Sequence, residues 1–331
     1  MFFRGQIIGK YKILKTIGSG GFGTVYLADD TWINKKVALK VPHKQGVDFG
    51  ELLREARLLA ALDHPNIVRI VTAEKQENVF FIVMEYVPGE TLEALVARAG
   101  PLDIPLALDY TCQISNAVDH AHRQGVLHRD LRPSNILVAE TGQLKVADFG
   151  TSRFLEIAAH GSTVIGSPPY MALEQFRGEA VLASDIYSLG VTMYQMLTGV
   201  LPYDTPSPAD LERLMKGELL TAPRLKNPKI PKSINDIVLK AMAPDISARY
   251  QRAGELLDDV LAARSTSARR IPRTWATAIT EPAEPLVGDG VAQDIHLRLK
   301  AREAPQPRFC WHCRKPLHAR SDRCPFCGEG Q

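Results

Sequence analysis

The segment His128-Arg129-Asp130-Leu131-Arg132-Pro133-Ser134-Asn135 sets a carboxylate shortly before a carboxamide. A carboxylate at Asp130 can accept or orient the proton of a substrate hydroxyl, and the neutral oxygen of Asn135 suits a hard cation such as Mg²⁺. Asp148-Phe149-Gly150 then offers a second acid for the cation beside a glycine. Near the start, Gly18-Ser19-Gly20-Gly21-Phe22-Gly23 runs into Thr24-Val25-Tyr26-Leu27, which is β-branched and aromatic. A strand follows these glycines, whereas a dinucleotide-binding turn would lead into a helix. Two strands joined by a glycine hairpin form a flap that can close over a triphosphate, because glycine lets backbone N–H groups approach closely. Val37-Ala38-Leu39-Lys40 ends an apolar strand in a lysine that can reach phosphates if an acid holds it. Glu55 is the preferred acid, since it shares a helix face with Leu52, Leu59 and Leu62; Glu51, one turn earlier, competes.

These groups need elements to position them. From Tyr11 to about Met84, short apolar runs broken by Gly and polar turns predict strands, with one helix around Leu52–Leu59 that ends at His64-Pro65. From Thr91 to about Ala263 helical periodicity dominates. Leu106–His122 is amphipathic, and Ile186–Leu197 is apolar nearly all round, the mark of a helix buried in a core. Met193, Met196 and Cys112 read as core residues. From Ser265 to Pro307 the chain is rich in Ser, Thr, Pro, Ala and Arg without an apolar period, as expected of a linker.

The ordered set of glycine loop, V-A-L-K, H-R-D-L-R-P-S-N and D-F-G resembles the protein kinase catalytic domain. Arg54-Glu55-Ala56, His64-Pro65-Asn66-Ile67-Val68 and Met84-Glu85-Tyr86-Val87 resemble most closely the bacterial eukaryotic-type Ser/Thr kinases. The resemblance implies an α+β, bilobal kinase fold over residues 11–263, with a strand-rich N-lobe and a helical C-lobe. It implies a kinase that moves the γ-phosphate of ATP to protein hydroxyls with Mg²⁺ and phosphorylates itself. Lys40 paired with Glu55 would position ATP, Asp130 would be the catalytic acid/base, and Asn135 and Asp148 would hold Mg²⁺. Ile17, Gly18, Ser19, Gly20, Gly21, Phe22 and Gly23 would cover the nucleotide. Val25, Ala38 and Leu137 would sandwich the adenine behind a Met84 gatekeeper, and the backbone of Glu85 and Val87 would hydrogen-bond it. Asp185 matches the acid that braces the catalytic loop, and Arg249 matches the arginine that pairs with Glu174.

Two positions depart from the family pattern. Arg132 stands where a lysine usually contacts the γ-phosphate, so the charge survives as a planar fork. Leu173 replaces the proline of A-P-E, which leaves that loop freer. These two are the only support for a rival reading, a non-catalytic scaffold. In the activation segment, Ser162 and Thr163 are candidate phosphorylation sites, with Arg129 as the receiving cation.

Four of the five cysteines fall at Cys310, Cys313, Cys324 and Cys327. Two C-x-x-C units at this spacing resemble a zinc ribbon over residues 308–329, in which Zn²⁺ is structural and supplies the folding energy. With residues 264–307 as linker, the ribbon would serve recruitment of a docking partner or regulation. From Arg264 onward there are 12 Lys and Arg against 7 Asp and Glu, within a net charge of +3 for the chain. That excess lacks the basic clustering and aromatic interleaving of a nucleic-acid site, so none is expected. The early charge at Arg4 argues against a signal peptide, and no apolar run is long enough to span a membrane. The expected location is cytoplasmic.

Overall fold

The computed structural model describes residues 2–20, 23–43, 49–76, 79–149, 167–203, 210, 213, 216–269, 308–309 and 316–317. The chain divides into two compact units, Met1–Ile271 and Pro272–Gln331.

The first unit opens with an antiparallel sheet. Its strands are β1 (Ile7–Ile8), β2 (Tyr11–Gly20), β3 (Gly23–Asp30), β4 (Lys35–Pro42), β5 (Ile70–Gln76) and β6 (Val79–Glu85), in the order β1-β2-β3-β4-β6-β5. Alternation decides the faces. Tyr11, Ile13, Tyr26, Val37, Leu39, Phe81 and Val83 form a core on one side. Phe80 and Ile82 point to the other, where Leu53 of helix α1 (Phe49–Ala60) joins them. As the leucine spacing predicts, α1 is amphipathic. Past its C-terminal end the chain turns at His64-Pro65, and Leu59, Leu62 and Ile67 join the core of the helical lobe.

That lobe begins with β7 (Gly89–Thr91) and α2 (Leu92–Ala99), which is capped by Thr91, whose Oγ1 accepts the Ala94 N–H at 3.1 Å. A long helix follows, α3 (Ile104–Arg123). β8 (Ile136–Ala139) and β9 (Leu144–Val146) complete a small sheet with β7, in the order β7-β8-β9. Val146 also bridges to Ile67 in parallel, so β9 is tied to the loop after α1. Helix α4 (Leu182–Thr198) is buried on nearly every side, as its apolar sequence predicts, and Met193 and Met196 are core residues. Against it pack α5 (Pro223–Lys226) and α6 (Lys232–Ala241), while α7 (Ala253–Arg269) packs on α3 and α6.

Helix α7 continues past Ala263, where the sequence pattern closes the catalytic domain, to Arg269. The apolar period fades there, but Arg264 still has partners on α3: its Nη1 lies 3.3 Å from Asp109 and 3.6 Å from the Sγ of buried Cys112. A long side chain reaching a neighbouring helix leaves no apolar signature in sequence.

In the second unit, β10 (Arg308–Phe309) pairs antiparallel with β11 (Pro316–Leu317). Cys310, Cys313, Cys324 and Cys327 lie outside the described residues, as does most of the 264–307 segment. Among the described residues no group of three or more His, Cys, Asp or Glu is placed to hold a metal ion. Nor is any helix among them long and apolar enough to cross a membrane.

Candidate active site

The site lies between the six-stranded sheet and the loop that leads from α3 to β8. Asp185, in the first turn of α4, builds this loop from below. It is fully buried, and its carboxylate accepts three hydrogen bonds at 2.8 Å, from the N–H of His128, the N–H of Arg129 and His122 Nε2. Burial alone would raise the pKa of this acid; the His122 contact and the backbone bond outweigh it and hold the carboxyl below its ordinary range. Asp185 therefore stays an anion beneath the loop. His128 is oriented in turn: its Nε2 donates to the carbonyl of Ala147 at 2.9 Å, and its Nδ1 accepts the Asp130 N–H at 3.3 Å. This fixes the neutral Nε2–H tautomer and links the loop to the residue before Asp148.

Two backbone positions here are unusual. Arg129 (φ 67°) and Asp148 (φ 64°) adopt the left-handed region, which costs a non-glycine residue free energy. The Arg129 conformation is held by Asp185 on its N–H and by Gln175 Nε2, which donates to its carbonyl at 2.8 Å.

Asp130 thus projects its carboxylate into the cleft. Asn135 Nδ2 donates to the Asp130 carbonyl at 2.8 Å and to its Oδ2 at 3.1 Å. The other oxygen, Oδ1, is buried and has no hydrogen-bond partner among the described residues. A buried carboxylate oxygen without a donor is costly unless a ligand supplies one. The arrangement fits a substrate hydroxyl at Oδ1, and it leaves the Oδ1 of Asn135 as the atom suited to a cation.

From the sheet, Lys40 reaches Asp148, with Nζ 2.6 Å from Oδ1. The β3–β4–β6 register puts Val25 opposite Lys40 and Ala38 opposite Met84, so Val25 and Ala38 are diagonal neighbours on one face. Leu137, paired with Thr91 and Lys145, belongs to the small sheet across the cleft. Gly18, Ser19 and Gly20 end β2, and Ile17 just before them is exposed. Gly23 starts β3 where a Cβ would come within 2.4 Å of the Val41 carbonyl, so close strand approach alone demands glycine there. Gly21 and Phe22 lie outside the described residues. So do the side chains of Glu51 and Glu55 on α1, together with Gly150, Ser162 and Thr163.

Apart from the Glu174–Arg249 pair, which the family resemblance implies, the other contacts carried no signal in the sequence. The Glu85 N–H bonds the Arg69 carbonyl at 3.0 Å, while its side chain accepts the Arg69 N–H at 2.8 Å and pairs with Lys145 at 2.7 Å. The stretch between the lobes is thus tied to β9, just upstream of Asp148. Arg132 donates through Nε to Ser134 Oγ and through Nη1 to Ser167 Oγ. Glu174 and Arg249 form a buried bidentate pair at 2.6 and 3.1 Å, to which Ser184 adds a bond of 2.6 Å. The pair is intact despite Leu173. Burial would raise the Glu174 pKa, but the Arg249 and Ser184 hydrogen bonds lower it below the ordinary range.

Residues 11–307 match the protein kinase domain. The chain belongs to the protein kinase family. Several of its relatives are serine/threonine-protein kinases by name. One is the serine/threonine-protein kinase PrkC of Bacillus subtilis (strain 168), 39% identical over 263 residues, which are 77% of this chain and 40% of PrkC. Another is PknB of Mycobacterium tuberculosis (strain ATCC 25177 / H37Ra), 32% identical over 81% of this chain and 45% of PknB. Among solved structures, Rad53 1-466 in complex with AMP-PNP aligns with a TM-score of 0.66 at 28% identity, covering 76% of this chain and 64% of that one. The chain spans about two fifths of the length of the curated kinases it matches. Kinases as a class use ATP and Mg²⁺.

Proposed function

We propose that the chain is an ATP- and Mg²⁺-dependent Ser/Thr protein kinase that transfers the γ-phosphate of ATP to hydroxyls of protein substrates and of itself. The observation that carries this reading is the unpartnered, buried Oδ1 of Asp130, beside Asn135, in the cleft that the Lys40–Asp148 pair bridges. Bound Mg·ATP supplies the phosphoryl group. Asp130 accepts and orients the proton of the acceptor hydroxyl. Asn135 and Asp148 present oxygens to the cation, and Lys40, braced by Glu55, presents its ammonium to the phosphates. The segment Ile17–Gly23 closes above, and Val25, Ala38 and Leu137 hold the adenine against the backbone of Glu85 and Val87. Arg132 carries the positive charge next to the transferred group.

Asp130→Asn in the full chain tests the reading. It should lower transfer to a generic substrate such as casein by about 10²-fold or more, while nucleotide binding and the melting temperature hold. Near-normal turnover in a clean preparation would refute the assignment.

For the second unit we propose a structural zinc ribbon on Cys310, Cys313, Cys324 and Cys327 that docks a partner. Its support is the two C-x-x-C units, the first of them bracketed in sequence by the paired strands β10 and β11. Thiolate ligands suit a reducing compartment, so a cytoplasmic location goes with it. Metal analysis should give one zinc per chain, lost when Cys310 and Cys313 become Ser. Zinc retained in that variant would exclude this ligand set.

A further inference from the structure

Arg132 differs from a lysine in more than length. An ammonium is a point charge that rotates freely on its stem, so it needs little steering. A guanidinium is a planar fork, and which N–H groups face the cleft depends on how the plane is turned. Something must set that turn if arginine is to work here.

The catalytic loop supplies it locally. Arg132 is extended (φ −159°, ψ 160°), and the 3-10 turn Pro133–Asn135 follows at once, closed by the Asn135 N–H on the Arg132 carbonyl at 2.9 Å. That turn brings the Ser134 hydroxyl under the Arg132 side chain, where Oγ accepts from Nε. The second contact comes from far along the chain: Nη1 donates to Ser167 Oγ, in the stretch leading to the 3-10 turn Pro168–Tyr170. All three residues are half-buried. Two contacts on different nitrogens stop rotation of the plane about the stem. Among the described residues Nη2 has no hydrogen-bond partner, and it is the corner left for a phosphoryl oxygen.

We infer that Ser134 is a positioning residue for Arg132: its hydroxyl holds the Nε edge so that, with Nη1 on Ser167, the Nη2 corner is presented to the transferred phosphoryl group. The side-chain partner of Ser134 is Arg132. It acts only through the arginine, and a lysine at 132 has no Nε–H for it to hold. The inference rests on the kinase reading and on the role of Arg132 within it.

A double-mutant cycle on the full chain tests it, with casein as acceptor and kcat and the ATP KM as readouts. Ser134→Ala should lower kcat by about tenfold, the loss of one charge-assisted hydrogen bond that orients a transition-state contact. The ATP KM should stay within about twofold. Ser134→Thr keeps the hydroxyl and should restore most of kcat. In an Arg132→Lys background, adding Ser134→Ala should change kcat little further. An equal loss in both backgrounds would mean that Ser134 merely shapes the loop and would overturn the inference, as would wild-type kcat in Ser134→Ala. Wild-type turnover that Asp130→Asn abolishes, together with an additive cycle, would sink this inference and leave the kinase reading standing. No turnover in the wild-type chain would sink both.

Discussion

Asp130 and Lys40 face one cleft from opposite lobes, and the segments that carry them are anchored by different means. The floor, from His128 to Asn135, has few main-chain partners of its own. It is held by buried side chains from elsewhere, Asp185 and His122 below and Gln175 at the side, and by its own Leu131, fully buried in the helical core. The roof is a ladder. Lys40 sits on β4 between β3 and β6, each paired with it in unbroken register, and its side chain bonds across the cleft to Asp148. At the hairpin tip, the exposed His43 ring donates to the Gly20 carbonyl at 2.8 Å. A surface set by buried side chains loses shape when one is removed. A surface set by main-chain ladders keeps its shape and loses only the function of the deleted group. Removing a buried side chain that braces the floor should therefore cost stability and rate together, whereas substitutions on the roof, like exchange of the cleft-facing Asp130, should cost rate alone.

The largest effect is expected at the base of the floor. Asp185→Ala leaves two backbone N–H groups and the His122 N–H buried without their acceptor, at about 1–3 kcal/mol for each group left unsatisfied. The melting temperature should fall by roughly 10 °C, and phosphoryl transfer should collapse with it. A variant that melts like wild type would break the comparison, because the floor would then stand without its brace.

On the roof, Lys40→Met should reduce transfer by about 10²-fold but shift the melting temperature by less than about 2 °C. Asp148 is partly exposed, so water can take over from the lost ammonium. Calorimetry and a transfer assay on the same preparation check both numbers. A melting loss as large as that of Asp185→Ala would erase the distinction between the two walls.

The smallest effect is a change of slope with pH. The Glu174 carboxyl is held below its ordinary pKa in the native state, so the unfolded chain binds more protons in that window and stability rises with pH there. The contribution is complete above the unfolded value of about 4.3 and is lost as pH falls through the native one. Asp185 acts with the same sign. Glu174→Gln should melt lower at neutral pH, because Arg249 stays buried without its partner. It should also flatten the acid limb of the Tm–pH curve between about pH 5 and pH 3. An acid limb as steep as wild type would show that the Glu174–Arg249 pair does not titrate as a unit with folding.

Much of this was legible in the residues alone. The hairpin over Gly18–Gly23, the helix carrying Glu55, the buried Leu182–Thr198 helix and the motif acids all follow from patterns within a few positions of one another. Less legible was the end of the last helix, because Arg264 extends it through contacts with α3 that have no periodic trace. The role of Gly23 also reads differently in three dimensions: a phosphate-facing glycine by sequence, it is required by the Val41 carbonyl beside it.

By itself the sequence determined which chemistry the chain can perform, since the acids, the lysine and the carboxamide are local facts of residue type and spacing. It also determined the alternation and helical stripes that sort strands from helices, because periods of 2 and 3.6 are written along the chain. Only the tertiary structure decided how those groups are aimed. The left-handed backbone at Arg129 and Asp148, the three bonds into Asp185, the fork of Arg132 between Ser134 and Ser167, and the tie from Glu85 to Lys145 mostly join residues dozens of positions apart. A hydrogen bond needs its donor and acceptor about 3 Å apart and aligned, and for residues so distant in sequence that condition is met only after the core has packed.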